Sequence, residues 1–295
     1  MKMEKKIIAL GFFDGVHLGH QALLRACRAL AGQENCHAAA ITFDRHPQSL
    51  FIPNPPPLLS TEQDRRMLLR KYGIGPIYQY PVTKETMSKS WQAFLMELVE
   101  YGAAGFICGS DFRFGHKGAG NAEKLQRFCE ERNLPCVVIP EQTLEGTRIS
   151  STHIRRLLAL GHMESAKKFL GHPHFLTGEV VAGRKLGNKL GFPTANVLIP
   201  EGIACPRHGV YACGVWVDGQ RHIAVTNVGS RPTVQGHQIR AESWILDFDG
   251  DLYGKTITLE FHYFLRPEKK FASLEQLKAA VRADGARTRN YFLEN

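Results

Sequence analysis

The stretch KIIALGFFDGVHLGHQALLRACRAL, Lys6–Leu30, decides the fold. A short apolar run opens it, a turn punctuated by Gly11, Gly15 and Gly19 follows, and apolar residues then return at helical spacing over Gln21–Ala31. A strand that empties through a glycine-containing turn into a helix is the opening unit of a nucleotide-binding α/β domain. His17 and His20 are three apart at the start of that helix, so their imidazoles share one face of its first turn. The free N–H groups and partial positive charge of a helix start favour phosphate. Gly19 has no side chain to keep a ligand off the backbone. Two imidazoles beside a polyphosphate can donate hydrogen bonds both to the phosphorus under attack and to the group that departs. The HxGH spacing alone also suits two surface histidines; the strand before it and the helix after it favour phosphate handling.

Outward from this unit, short apolar strands alternate with helices. Strands are predicted at Lys6–Gly11, His37–Phe43, Pro76–Val82, Ala104–Gly109 and Pro135–Pro140, and helices at Gln21–Ala31, Thr61–Tyr72, Ser90–Tyr101 and Ala122–Arg132. Strands with almost continuous apolar character, separated by helices, predict a doubly wound parallel sheet with its ligands at the carboxyl ends of the strands. Two short helices, Thr152–Leu160 and Met163–Leu170, lead to GHPHF (Gly171–Phe175), which reads as the break between a domain over residues 1–172 and another over 173–295. Beyond it come strands at Leu176–Ala182, Val210–Val217, Arg221–Val228, Ile239–Phe248 and Thr256–Phe264, then an amphipathic helix at Leu274–Ala283. That spacing suggests an antiparallel barrel or sandwich with a helix packed outside it. NVGSRPT (Asn227–Thr233) and DFDGDLYG (Asp247–Gly254) read as loops at one end, with Arg231 within reach of an anion.

Further segments of the first domain carry polar chemistry. In RISSTHIRRLLALG (Arg148–Gly161), Ser150 or Ser151 can cap a helix whose first turn also holds Thr152 and Arg155, a second place for phosphate; an ordinary serine-capped helix has the same pattern. SDFRFGHKGAG (Ser110–Gly120) leaves the fourth strand with Phe112 and Phe114 alternating with Asp111 and Arg113. The aromatics can stack on a ring system and Asp111 can bind a polar edge, or the phenylalanines can simply anchor the loop.

In the second domain, GRKLGNKLGFPTAN (Gly183–Asn196) interleaves glycines with Arg184, Lys185 and Lys189 and ends in the neutral oxygens of Thr194 and Asn196. It lacks the GK[ST] ending of a Walker loop but offers a backbone cradle for phosphates, and its last oxygens suit Mg²⁺; a basic hairpin loop reads the same way. In IRAESWILDF (Ile239–Phe248), alternation puts Glu242 on the face of Trp244, Leu246 and Phe248, which we expect to be the buried one. A carboxylate there is costly unless paired or used, and a raised pKa would suit a general base acting on a hydroxyl.

Taken in order, Gly11–His20, Thr42–Pro47, Gly109–Gly115 and Ile149–Arg155 resemble the adenylyltransferase half of the bacterial bifunctional riboflavin kinase/FAD synthetase family. Gly183–Asn196, Asn227–Thr233 and Glu242–Gly254 resemble its riboflavin kinase half. The resemblance implies a Rossmann-like HxGH nucleotidylyltransferase domain of α/β class joined to an antiparallel β-barrel with a C-terminal helix. It also implies two Mg²⁺-dependent reactions: ATP phosphorylates riboflavin to FMN with release of ADP, and a second ATP adenylylates FMN to FAD with release of pyrophosphate. By position, His17, His20 and Arg155 would be catalytic in the first domain, with Gly11, Phe12, Gly19, Ser151 and Thr152 around the nucleotide. Asp111, Phe112 and Arg113 would meet the flavin. In the second, Gly183 and Lys189 would contact nucleotide phosphates, Thr194 and Asn196 would hold Mg²⁺, and Glu242 would deprotonate the ribityl hydroxyl. Arg45 departs from the family's usual TFDPHP, and Gly115–Gly120 departs slightly from its basic glycine loop.

Composition narrows the remaining classes. The chain has 295 residues, 43% of them hydrophobic and 22% charged, the balance of a soluble globular protein. No apolar run is long enough for a membrane span, and the N-terminal apolar stretch is cut off by Asp14, so it reads as a strand and not as a secretory signal. Seven cysteines without a CxxC pair suit reduced thiols in a cytoplasmic protein. The formal charge of +9 is spread along the chain, which favours small phosphate ligands over nucleic acid. Two other readings are a different HxGH nucleotidylyltransferase, against which the PTAN segment and Glu242 argue, and a basic RNA- or flavin-binding regulator on a decayed enzyme, against which the intact polar residues argue.

Overall fold

A computed structural model describes residues 4–183, 191–233 and 236–294. The chain forms two compact units, Met1–Leu58 with Glu62–Ser151, and Thr152–Asn295 with Leu59–Thr61.

The first unit is built on a parallel sheet of β1 (Lys6–Leu10), β2 (His37–Phe43), β3 (Ile77–Tyr80), β4 (Ala103–Gly109) and β5 (Cys136–Ile139), in the order β3-β2-β1-β4-β5. All five predicted strands form. β1 is buried along its whole length because both faces of the sheet are covered. On one face Ile8, Leu10, Ile41, Phe106 and Cys108 pack with Leu95 and Leu98 of α4 (Trp91–Glu100) and Leu125 and Phe128 of α5 (Ala122–Glu130). On α1 (Leu18–Gln33), the Cys27 thiol donates to the carbonyls of Ile7 and Ala39. The strand order reverses between β1 and β4, so the exits of these two strands form the crevice where open α/β sheets bind ligands. α2 (Glu62–Lys71) also belongs to this unit. The short α3 (Lys84–Ser88) and the hairpin of β6 (Thr143–Leu144) and β7 (Thr147–Arg148) have no counterpart among the predicted elements.

In the second unit α6 (Ser151–Leu160) and α7 (Met163–Leu170) precede β8 (His174–Val181), β9 (Thr194–Leu198), β10 (Gly209–Val217), β11 (Gln220–Thr233), β12 (Gly236–Ile245) and β13 (Thr256–Arg266). These strands close into an antiparallel barrel, β10-β11-β12-β9-β8-β13, which decides between barrel and sandwich. α8 (Leu274–Glu294) lies outside it and runs past the predicted end at Ala283.

Three expectations for this unit need correction. Asn227–Thr233 is not a loop but the end of β11. Past Val228, β11 is no longer paired with β10 and continues as a two-stranded ribbon with β12, and on such an edge Pro232 needs no amide hydrogen. Thr194–Asn196 is likewise strand and not loop. The face of Glu242 and Trp244 is not the barrel interior: they are half-buried, while Ala241, Ser243 and Ile245 point inward and are buried. On the inward face Thr226 and Ser243, opposed on neighbouring strands, are hydrogen-bonded at 2.9 Å, in register with the fully buried Tyr211. Trp244 instead packs outside the barrel, against Phe192.

Candidate active sites

The exit loop of β1 is tightly wound. Phe13 (φ 57°) and Val16 (φ 41°) take left-handed backbone conformations, and both side chains are fully buried, which holds the strain in place. The loop delivers His17 as the N-cap of α1, with its Nδ1 accepting the His20 amide at 3.4 Å. An imidazole that accepts at Nδ1 carries a proton on Nε2, so the donor of His17 is Nε2–H. The two rings stack at 3.7 Å and 13°, and Phe13 closes edge-on against His20. Burial, then the neighbouring His17, then Arg65, push the His20 pKa well below its ordinary value, so His20 is neutral at pH 7. The Ser151 hydroxyl donates to the Asp14 carbonyl at 3.2 Å, so that residue belongs to the same loop environment.

A cavity of about 230 Å³ opens here, lined by His17, Gly19, His20, Asp111, Arg148 and Ser151 among others. Asp111 is therefore on the histidine side, where Arg148 bonds it at 2.5 Å and Glu141 at 3.0 Å. Phe112 and Arg113 belong elsewhere. They line a second cavity of about 470 Å³ whose walls are aromatic, with Phe12, Phe43, Tyr80, Phe94 and Phe114. The Gly11–His20 loop separates the two spaces: Phe12 faces the aromatic one, and His17 and His20 face the polar one. Gly11 is buried at the strand exit, and its amide bonds to the Ile41 carbonyl at 3.4 Å. Thr152 and Arg155 sit in the first turn and a half of α6.

On the barrel, register aligns Asn196 of β9, Glu242 of β12 and Asn227 of β11 side by side across three strands, on the outward face. Directly opposed residues have Cβ atoms about 5 Å apart, so these side chains form one row. Thr194 lies on the same face two residues from Asn196 and lines a cavity of about 310 Å³ with Pro193, Phe248, Asp251 and Tyr253. Asn196 is buried, and a methyl group on Gly183 would come within 2.6 Å of its amide, so glycine leaves the space in front of that amide clear. Lys189, Arg184 and Lys185 lie outside the described residues, as does the side chain of Arg231.

A Mg²⁺ site fits this donor set in one form only. No cluster of three or more His, Cys, Asp or Glu side chains able to hold a metal exists among the described residues. Mg²⁺ bound through one or two protein oxygens and the phosphates of a nucleotide needs no such cluster, and Thr194 and Asn196 supply neutral oxygens beside the space that Gly183 leaves free.

Spacing alone did not single out Arg65, Tyr80, Phe94 or Asn227. The aromatics had a usable signal, since Phe43 and Tyr80 end β2 and β3 on the ligand side of a parallel sheet. Arg65 had none, because TEQDRRMLLRKYG reads as a solvated amphipathic helix.

A doubly wound domain with histidines at its switch point and a barrel bearing an acid–amide row give the chain two candidate sites, the layout of a bifunctional transferase. Comparison with known proteins makes this specific. A family model for FAD synthetase matches residues 1–153, and one for riboflavin kinase matches residues 170–292. Bifunctional riboflavin kinase/FMN adenylyltransferases are similar over nearly the whole chain. That of Listeria monocytogenes is 35% identical, covering 97% of this chain and 92% of the relative. That of Escherichia coli is 33% identical, covering 98% and 93%. A solved structure from Streptococcus pneumoniae, described as a macrolide-efflux protein, superposes with a TM-score of 0.89 at 30% identity, covering 98% of this chain and 95% of that one. No described helix here is long and apolar enough to cross a membrane. The chain belongs to the bifunctional riboflavin kinase/FMN adenylyltransferase family; it phosphorylates riboflavin to FMN and adenylylates FMN to FAD.

Proposed function

We propose that FAD formation runs across the Gly11–His20 loop, with the flavin ring of FMN in the aromatic cavity and ATP in the histidine cavity. The observation that carries this reading is the loop itself, whose Phe12 and histidines wall two chemically different spaces. An FMN phosphate oxygen attacks the α-phosphorus of ATP, the bond from that phosphorus to the bridging oxygen breaks, and pyrophosphate leaves with the electron pair. The Nε2–H of His17 and neutral His20 donate hydrogen bonds to the phosphate oxygens as charge shifts toward pyrophosphate. Ser151, Thr152 and Arg155 hold the phosphates, and Arg155 supplies the fixed charge. Asp111, paired with Arg148 beside the histidine cavity, competes with the nucleotide phosphates for that cation and so bears on the nucleotide side.

On the barrel, we assign Glu242 as the base that takes the proton of the terminal ribityl hydroxyl of riboflavin while that oxygen attacks the γ-phosphorus of ATP and ADP departs. Thr194 and Asn196 would hold Mg²⁺ with the nucleotide, and the ion would neutralise phosphate charge there. Functionally the division falls at 172/173, which keeps Arg155 with the adenylyltransferase half. The seven cysteines are all free thiols, which suits a reducing compartment such as the cytoplasm.

Riboflavin, ATP and Mg²⁺ are incubated with each variant and the flavins resolved by chromatography. His20→Ala is expected to stop at FMN, with FAD formation reduced at least about 100-fold. Glu242→Ala is expected to make no FMN from riboflavin but to convert supplied FMN to FAD at the normal rate. If either substitution abolished both reactions in a folded protein, the division of labour between the two sites would be wrong.

A further inference from the structure

Arg65 has no exposed surface and is among the largest fully buried side chains of the protein. An arginine in that position is expensive, since burying a guanidinium costs several kcal/mol unless its charge and donors are compensated. Here compensation is incomplete. Nη2 donates to the Phe43 carbonyl at 2.8 Å, whereas Nε and Nη1 have no hydrogen-bond partner. The anionic groups acting on it are Asp14, Glu62 and Asp44. An apolar side chain of similar volume would fill the space at lower cost, so the cation is retained for something other than packing.

Its surroundings identify the use. The guanidinium lies 4.7 Å from the centroid of the Phe12 ring, and the carbonyl it bonds belongs to Phe43. Phe12 and Phe43 touch edge to face at 6.2 Å, and both line the aromatic cavity. Thr42 adds a second tie, donating from its hydroxyl to the Phe12 carbonyl at 2.8 Å. One rigid planar group behind the wall thus fixes a ring from the β1 exit and a carbonyl from the β2 exit relative to each other. A lysine could supply the charge, but not two directed contacts in a plane.

We propose that Arg65 is a positioning residue for FAD formation, clamping Phe12 to the end of β2 from behind and so setting the wall on which the flavin ring lies. The inference rests on the aromatic cavity being the flavin site. A cation over an aromatic face in a desolvated setting strengthens that contact enough for its loss to be read as about tenfold in affinity.

The test uses the full-length enzyme and measures KM for FMN and for ATP separately. Arg65→Met is expected to raise KM for FMN about tenfold with KM for ATP changed less than about twofold, and Arg65→Lys to recover part of that loss. Riboflavin phosphorylation by the same molecules should be unchanged. Should Arg65→Met fail to fold, Arg65→Lys in wild-type and Phe12→Leu backgrounds carries the test: its effect on KM for FMN should vanish once the ring is gone. Unchanged KM for FMN in both Arg65 variants, or equal losses for FMN and ATP, would overturn the proposal. Phe112→Leu separates the two levels of the argument. If it raises KM for FMN while the Arg65 variants do not, only the role of Arg65 fails; if it too has no effect, the cavity is not the flavin site and the Arg65 inference falls with it.

Discussion

His17 and His20 have the same side chain but are held in different states. His17 accepts the His20 amide at Nδ1, which makes Nε2 its donor, whereas His20 stacks on His17, meets Phe13 edge-on and is kept neutral by burial. The sign of the resulting pH effect is definite. Because the folded pKa of His20 lies below its unfolded value near 6.5, the unfolded chain takes up the proton first as pH falls. Stability is therefore full above about pH 6.5 and declines on acidification through the window down to the lowered folded value. His20→Asn should remove that contribution. In urea titrations the gap between wild type and variant should shift in favour of the variant between pH 7.5 and 5.5; a gap independent of pH would mean that His20 titrates normally. The rate of FAD formation should correspondingly show no acid limb near 6.5 from this residue. HxGH between a strand and a helix marks the pair as candidates for phosphate, but not their unequal states, which depend on Phe13 and on Arg65 from a helix more than forty residues away.

At the level of elements, the alternating pattern of the first unit was sufficient because a parallel sheet covered on both faces writes itself as apolar runs between helices. The barrel was less legible for a physical reason. Its strands are covered on the outside as well, where Trp244 packs against Phe192 and the last helix, so a large apolar residue does not mark the interior and the alternation of β12 assigns Glu242 to the wrong side of the barrel. β9, Thr194–Leu198, begins in a segment rich in glycine and lysine that carries no strand pattern, and the pattern of α8 breaks at Ala283 because glycine follows soon after. Gly285 does not end the helix: a methyl group there would meet the Trp244 ring at 2.9 Å, so glycine is what lets α8 approach the barrel. Asp284 beside it is buried and takes a forked pair from Arg266 of β13, with contacts of 2.7 and 3.0 Å to one oxygen. Removing one partner of a buried, doubly bonded pair leaves an uncompensated charge, so Asp284→Ala should cost about 3 kcal/mol. That loss should appear as a lower urea midpoint for riboflavin kinase activity, with FAD formation from supplied FMN unaffected in the absence of urea. A change within about 0.5 kcal/mol would show that α8 is held by its apolar contacts alone.

Across the whole molecule, the proposed chemistry and the packing divide the chain at different places. Compactness separates the chain between Ser151 and Thr152, which gives α6 and α7 to the barrel. The contacts explain why: the Arg207 amide bonds the Leu158 carbonyl at 2.9 Å, and α7 packs on β8 and β13 with Met163, Ala166, Phe169 and Leu170 buried. The proposed chemistry instead keeps Thr152 and Arg155 with the histidines. GHPHF was legible as a break in pattern because the periodicity changes there, but packing of the preceding helices is not written in their own sequence. The mismatch has a consequence for fragments of the chain. A fragment of residues 1–151 retains the whole parallel sheet but loses Arg155, and should fold while forming no FAD. A fragment of residues 1–172 regains Arg155 but exposes the apolar face of α7, and should aggregate. The barrel behaves in the complementary way. Burial of each large apolar side chain is worth about 1.5–3 kcal/mol, so residues 152–295 should phosphorylate riboflavin and unfold at a distinctly higher urea concentration than residues 173–295. If 1–151 forms FAD at the rate of the intact enzyme, Arg155 has no part in the reaction. If 173–295 is as stable as 152–295, α7 contributes nothing to the barrel, and the two boundaries coincide at 172 after all.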